Sequence, residues 1–226
     1  MRVLAIIPAY NEQESIVSTV EELLAANTGC DYLIINDGSS DATEAICREH
    51  GYNYVTHPTN LGLTAGFQTG VTYALSHGYD AVIQFDADGQ HMPVHVPPMV
   101  AEMERTGADI VIGSRFVNER KSFSARMIGS RLLSALIRLT TGQRITDPTS
   151  GMRLYNQAMM REFARRFDFG PEPDSVAYLM RRGAKVREVQ VEMREREAGE
   201  SYLNLRRSIS YMARACTSIL LVQWFR

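Results

Sequence analysis

Short apolar runs alternate with segments of helical period along the first half of this chain, and most of those runs end in a polar tip. That alternation admits few folds. Residues 3–8 are apolar and lead into Tyr10-Asn11-Glu12. Residues 14–26 carry Ile16, Val20, Leu23 and Leu24 at helical spacing. Residues 32–36 are apolar again and end in Asp37-Gly38-Ser39-Ser40. A helix is expected from there to about His50, with Asp41 and Glu44 placed like a capping box. The pattern continues with a short strand over 54–56, a helix over 63–77, a strand over 81–85, a helix over 94–105 and a strand over 109–113. Apolar runs of this kind are expected of parallel strands buried on both faces. The predicted class is therefore α/β, a mainly parallel central sheet with flanking helices. In such sheets ligands bind beyond the carboxyl ends of the strands, where the polar tips lie.

After residue 114 the character changes. Arg115, Arg120, Lys121, Arg126, Arg131, Arg138 and Arg144 follow one another, opposed only by Glu119. Residues 127–141 look helical, 147–151 read as a loop, 157–167 and 175–182 as helices and 185–193 as a strand. No repeat, linker or low-complexity tract divides the chain. One domain is expected over 1–202, with a first half 1–114 and a second half 115–202, followed by an amphipathic helix over 203–226. The last segment is rich in apolar residues, but Arg206, Arg207 and Arg214 interrupt it, and a spanning helix needs about 20 mostly apolar residues. A helix packed on the domain or lying on a membrane surface is expected instead. The N-terminal apolar run is too short for a signal peptide and reads as a first strand. A net charge of -2 gives no general case for nucleic-acid binding. Cys30, Cys47 and Cys216 are widely spaced and form no CxxC pair, so reduced thiols in a cytosolic protein are expected.

The strongest local signal is Asp86-Ala87-Asp88-Gly89-Gln90-His91. Side chains two apart in an extended segment point the same way. Asp86 and Asp88 can thus face one hard divalent cation, with Gln90 adding a carbonyl oxygen. Mg²⁺ typically takes one or two carboxylates plus substrate phosphates, and such an ion neutralises charge on a departing diphosphate. Taken alone, the same residues also make a solvated acidic turn. Asp37 can accept a hydrogen bond from a base N–H or a ribose hydroxyl, or simply build the turn that Asp-Gly-Ser-Ser favours. Glu12 can grip a ribose or sit as an acid in a helix's first turn. Pro8 and Tyr10 can shape a base pocket or merely end the strand. Arg115, Arg126 and Arg131 suit bidentate phosphate contact, whereas Arg138 and Arg144 read as a solvated basic face.

Taken together, Pro8-Ala9-Tyr10-Asn11-Glu12, Asn36-Asp37-Gly38-Ser39-Ser40-Asp41, Asn60-Leu61-Gly62, Asp86-Ala87-Asp88-Gly89-Gln90-His91, Gly113-Ser114-Arg115, Asp147-Pro148-Thr149-Ser150-Gly151-Met152-Arg153 and Arg196…Gly199-Glu200-Ser201 stand in the order found in family 2 glycosyltransferases. Over nearly its whole length the chain resembles the subgroup that makes polyprenyl-phosphate sugars, the dolichyl-phosphate-mannose-synthase-like transferases. The resemblance implies a GT-A (Rossmann-like) fold and an inverting, metal-dependent transferase using Mg²⁺ or Mn²⁺. It also implies that 1–114 binds the nucleotide sugar and 115–202 the acceptor. Carried over, Pro8, Tyr10, Glu12 and Asp37 would bind the nucleoside, with Asn60 also in the nucleotide-sugar site. Asp86, Asp88 and Gln90 would hold the metal, and Arg115, Arg126, Arg131 and Arg196 would face the phosphates. Asp147, Ser150, Arg153 and Ser201 would lie in the acceptor loops. Tyr202 stands where many members have Lys, so either that loop grips phosphate more weakly or Arg206 substitutes.

Many members also carry C-terminal transmembrane helices; others rely on a small membrane-embedded partner. The expected location is cytoplasmic, peripheral at the inner face of the membrane. The acceptor oxygen must attack the anomeric carbon opposite the diphosphate. A polyprenyl phosphate, with a second pKa of about 6, is already largely anionic. A glycan hydroxyl, as in cell-surface polysaccharide synthesis, would need a general base; Asp147 and Asp174 are the candidates, although Asp147 also fits as a turn residue before Pro148. A catalytically silent nucleotide-sugar-binding subunit is the other class considered, and the intact Asp86, Asp88 and Arg115 argue against it. A dehydrogenase is disfavoured because no GxGxxG follows the first strand.

Overall fold

Alternate side chains of strand β1 (Val3–Ala9) enter two different cores. Val3, Ala5 and Ile7 join one, Leu4 and Ile6 the other. The structure, a computed structural model, describes residues 1–119, 121, 123–166, 169–194 and 205–221. The strand lies inside a 7-stranded sheet with β2 (Asp31–Asn36), β3 (Tyr54–Thr56), β4 (Ala81–Gln84), β5 (Ile110–Ser114), β6 (Arg153–Asn156) and β7 (Val186–Gln190), in the order β3-β2-β1-β4-β6-β5-β7. Every pairing is parallel except those of β6, which runs antiparallel between β4 and β5.

Strand β6 has no counterpart in the sequence expectation. Arg153-Leu154-Tyr155-Asn156 is short and polar at both ends, and it follows directly on a turn, so it lacks the apolar run that marks its neighbours. Its insertion also bears on the expected halves. The boundary at 114 falls at the end of β5, and strands from both sides of it share one sheet.

Helices cover both faces. On one side α1 (Ile16–Ala25), α2 (Thr43–Glu49) and α4 (Val96–Thr106) bury Ile16, Val20, Cys47, Met99 and Met103. On the other, α3 (Leu63–Ser76), α5 (Ala125–Thr141), α6 (Gln157–Ala164), α7 (Pro173–Arg181) and α8 (Leu205–Leu220) bury Phe67, Leu133, Ile137, Phe163, Val176 and Ile219. Burying one such side chain is worth about 1.5–3 kcal/mol, so packing rather than propensity holds short helices such as α2 and α6. The expected capping box at α2 does not form. Asp41 Oδ1 accepts the Thr43 N–H at 2.9 Å, and Glu44 pairs with Arg48 at 3.2 Å instead.

Helix α8 packs on the domain. Ala215 and Ile219 are buried in the second core, and Met212 lies against Gly129 of α5. This takes Met212 and Ile219 away from the membrane-facing set expected of the C-terminal segment. Trp224 and Phe225 lie outside the described residues, as do the side chains of Arg206, Arg207 and Ile209. Among the described residues no helix is long and apolar enough to cross a membrane. Among the described residues α5 carries an exposed apolar face. Ile128, Leu132 and Leu139 share one side of that helix and are open to solvent, preceded by Phe123 at 93% exposure.

Candidate active site

The tips of β1 and β2 are tied into one wall. Asn11 adopts φ 57°, a left-handed conformation that Asn tolerates better than most residues. Its Oδ1 accepts the Ser40 N–H at 2.8 Å, and its own N–H donates to Ser39 Oγ at 3.0 Å. The Glu12 N–H donates to Thr43 Oγ1 at 2.9 Å, and its Oε2 accepts the Ser15 hydroxyl at 2.7 Å. Pro8 is half-buried and Tyr10 is exposed.

Asp37 is buried at the end of β2. Its Oδ1 accepts His57 Nδ1–H at 2.7 Å and the Leu61 N–H at 2.9 Å, while Oδ2 accepts the Gly62 N–H at 2.7 Å. The sequence left this carboxylate either to a nucleoside or to a turn. In the structure it first holds the Asn60-Leu61-Gly62 turn that leads into α3, with Asn60 itself exposed.

The carboxylates after β4 are held differently from each other. Asp86 is half-buried, and its Oδ1 accepts the Gln84 amide at 2.9 Å. The Asp86 N–H donates to His91 Nδ1 at 2.9 Å, which leaves the neutral ring's proton on Nε2, 3.5 Å from Asp86 Oδ2. Asp88 is buried, and its Oδ1 accepts the Gln90 N–H at 3.1 Å. The Gln90 amide donates to the Arg194 carbonyl at 3.3 Å, and Arg194 forms a two-pronged pair with Glu22 at 2.7 Å. Gly151 closes the site from the other side: a Cβ there would lie 2.6 Å from Asp86 Oδ2. Among the described residues no three His, Cys, Asp or Glu side chains gather as a complete ligand set. Two neighbouring carboxylates and an amide oxygen still suit a hard cation that completes its shell with water and substrate phosphate.

Arg115 and Asp147 form the third part. Arg115 Nε donates to Asp147 Oδ2 at 2.7 Å and Nη2 to Oδ1 at 2.9 Å. Burial alone would raise the Asp147 carboxyl, but the hydrogen bonds and charge of Arg115 outweigh it and hold the group below its usual range. Glu188 on β7 fixes the same loop from below. It accepts the Thr146 N–H at 2.8 Å, the Thr146 hydroxyl at 2.9 Å and the Asp147 N–H at 2.9 Å. Lys121 donates to Ser130 Oγ at 2.8 Å, and Arg131 Nη2 donates to the Lys121 carbonyl at 2.6 Å. Burial pushes the Lys121 ammonium down, with Asp147 and Glu188 opposing and Arg115 and Arg131 adding to the shift.

Several expected acceptor-side contacts turn inward. Ser150 is buried, donating to the Gly113 carbonyl at 2.5 Å and accepting the Met152 N–H at 3.2 Å. Arg153 is buried and donates to the carbonyls of Pro171 at 2.6 Å and Pro148 at 2.8 Å, so it braces two loops. Asp174 stands in the first turn of α7 and accepts the Ser218 hydroxyl of α8 at 2.6 Å. Arg196, Ser201 and the side chain of Arg126 lie outside the described residues.

His57, Gln84, Lys121 and Glu188 were not singled out as site residues from the sequence, although each carried a signal. His57 follows β3 as the other polar tips follow their strands. Gln84 is a polar residue at the end of an apolar strand, Lys121 lies inside the basic run, and Glu188 stands two residues beyond buried Val186 in an extended segment.

A model of the family described as glycosyl transferase family 2 matches residues 4–163. The chain is similar to the undecaprenyl-phosphate mannosyltransferase of Micrococcus luteus, at 35% identity over 216 residues spanning 90% of this chain and 88% of the relative. It is also similar to the polyprenol monophosphomannose synthase of Mycolicibacterium smegmatis, at 31% identity over 221 residues, 90% of this chain and 81% of the relative. Among solved structures, glucosyl-3-phosphoglycerate synthase from Mycobacterium tuberculosis, in complex with Mn²⁺, uridine diphosphate and phosphoglyceric acid, superposes with a TM-score of 0.70. That match covers 98% of this chain and 78% of the other at 19% identity, a likeness of fold.

Proposed function

The chain belongs to glycosyl transferase family 2 and has the GT-A fold, and on that premise we propose that it moves a sugar, with inversion, from a nucleoside-diphosphate sugar to a polyprenyl phosphate. Two of its similar relatives are named for transfer to, or synthesis of, such lipid phosphates. The observation that carries the acceptor reading is the state of the carboxylates. Asp147 is committed to Arg115 and held anionic, and Asp174 is committed to Ser218. A carboxyl whose pKa is pushed down is a poor general base. A hydroxyl acceptor needs such a base, whereas a phosphomonoester with a second pKa of about 6 attacks as it stands.

On this reading the acceptor phosphate oxygen bonds to the anomeric carbon as the bond to the diphosphate breaks on the opposite face. The wall of Pro8, Tyr10, Glu12 and Asp37 receives the nucleoside. Asp86, Asp88 and Gln90 would hold Mg²⁺ or Mn²⁺, which supplies positive charge to the departing diphosphate. Arg115 is already oriented by Asp147, which takes its Nε and one Nη2 proton, and its remaining N–H groups and positive charge would meet the same charge as it develops. Lys121 and Arg131 add positive potential around the acceptor side.

A polyprenyl acceptor requires the site to meet a bilayer. The stripe of Ile128, Leu132 and Leu139 on α5, flanked by Arg131 and Arg138, suits that contact. Each basic residue near an anionic surface is worth about 1 kcal/mol, so binding through this face alone is weak and salt-sensitive. The enzyme would then be peripheral, on the inner face of the membrane, with a small membrane-embedded partner adding anchorage. The test is incubation of the chain with a panel of guanosine- and uridine-diphosphate sugars, polyprenyl phosphate vesicles, and Mg²⁺, Mn²⁺ or chelator. One donor should yield glycolipid in the presence of metal. Sugar release as hydrolysis with every donor, and glycolipid with none, would sink the acceptor assignment.

A further inference from the structure

We propose that His57 is a positioning residue for donor binding, acting through Asp37; the inference rests on the nucleoside-facing role given to Asp37 above. His57 is itself buried, so it cannot be a major contact surface for a ligand. Its ring is held at both ends. Nδ1 lies 2.7 Å from Asp37 Oδ1, and Nε2 lies 2.8 Å from Thr69 Oγ1 on α3. An ionised carboxylate only accepts, so Nδ1 carries the proton, and in the neutral ring Nε2 accepts from the Thr69 hydroxyl. The backbone N–H of His57 also donates to the Asn36 carbonyl at 2.9 Å, which fixes the residue beside the end of β2.

The consequence lies in how Asp37 is filled. A carboxylate has roughly four acceptor sites. His57, Leu61 and Gly62 take three, at 2.7, 2.9 and 2.7 Å, and the open one is on Oδ2. His57 therefore sets which edge of the carboxylate is offered to a base N–H or ribose hydroxyl. The same carboxylate holds the turn at 60–62 against the end of β2. That turn is close-packed: a Cβ at Gly38, which has φ +65°, would collide with the Thr59–Asn60 backbone. Without the His57 bond the carboxylate keeps the Leu61 and Gly62 N–H groups and so the turn, but loses the contact that fixes its aim.

The test separates the two ring nitrogens. In the variant His57→Asn the side-chain amide N–H₂ can reach the position of Nδ1 and keep the bond to Asp37. In His57→Gln the longer side chain can reach the position of Nε2, keeping Thr69 and losing Asp37. GDP and UDP are titrated separately into the full-length wild type and both variants in the presence of Mn²⁺, by calorimetry, and donor and acceptor KM values are measured with the active donor. His57→Asn should bind the preferred nucleotide within about threefold of wild type. His57→Gln should bind it about tenfold more weakly, the low end of losing a hydrogen bond to a charged group. Donor KM should follow, with acceptor KM unchanged and the melting temperatures of the two variants similar. Equal nucleotide affinity in wild type and His57→Gln would overturn the positioning role while leaving the transferase reading intact. So would loss of donor and acceptor KM alike in proportion to lost stability. Failure of wild type to bind either nucleotide would overturn the donor reading and this inference with it.

Discussion

Gly151 is where the loop of the second half meets the acidic tip of β4. A methyl group there would sit 2.6 Å from Asp86 Oδ2 and 3.3 Å from the His91 ring. Gly151→Ala should therefore displace the Asp86 carboxylate, and we expect Mn²⁺ affinity to fall about tenfold or more, a loss of roughly 1.4 kcal/mol. Electron paramagnetic resonance of bound Mn²⁺ measures it directly, and unchanged affinity would show that Asp86 is not a ligand. Asp147 gives a second test. Its folded pKa lies below the unfolded value of about 3.9, so the pair with Arg115 contributes stability above that pH and loses it as pH falls through the folded pKa. Asp147→Asn should be less stable than wild type by roughly 1.5–3 kcal/mol at neutral pH, with the gap narrowing below about pH 4; melting temperature against pH checks the sign. At this scale the sequence announced residue types more clearly than their partners. Asp37, Asp86, Asp88 and Arg115 stood out because polar residues at strand ends are conspicuous. Which groups they would bond to depended on contacts made across long stretches of chain, such as Asp37 with His57 and the Asp147 loop with Glu188.

Among the elements, the strands β1 to β5 and the helices between them followed from hydrophobic period, because a buried parallel strand needs an unbroken apolar run. Strand β6 did not, since two flanking strands satisfy its short polar-ended segment whatever its composition suggests. Helical period also reveals an apolar face without naming what covers it. The face of α8 carrying Ala215 and Ile219 is covered by the domain, while the Ile128–Leu132–Leu139 side of α5 is left exposed. The double variant Leu132→Glu, Leu139→Glu should leave stability within about 0.5 kcal/mol, as exposed substitutions do. It should abolish sedimentation with anionic phosphatidylglycerol vesicles and slow transfer to vesicle-borne acceptor. Undiminished sedimentation would move the membrane contact away from α5.

For the whole molecule, one sheet brings the tied tips of β1 and β2, the acidic tip of β4 and the Arg115–Asp147 pair to the carboxyl ends of its parallel strands, with α5 beside them. The class was legible because alternation and strand-end tips are local signals, and the polyprenyl-phosphate acceptor was legible in the order of the family motifs. Whether a carboxylate is free to act as a base was not, because that was visible only once Asp147 and Asp174 had partners. The central claim is therefore that the nucleophile is a phosphate. The most direct measurement offers the protein its active donor and metal with either polyprenyl phosphate or the polyprenol of the same chain length, in matched vesicles, and counts sugar in the lipid fraction. The account predicts product from the phosphate, none above background from the alcohol, and none from either with Asp88→Asn. Equal transfer to the alcohol, or full activity in Asp88→Asn, would contradict it.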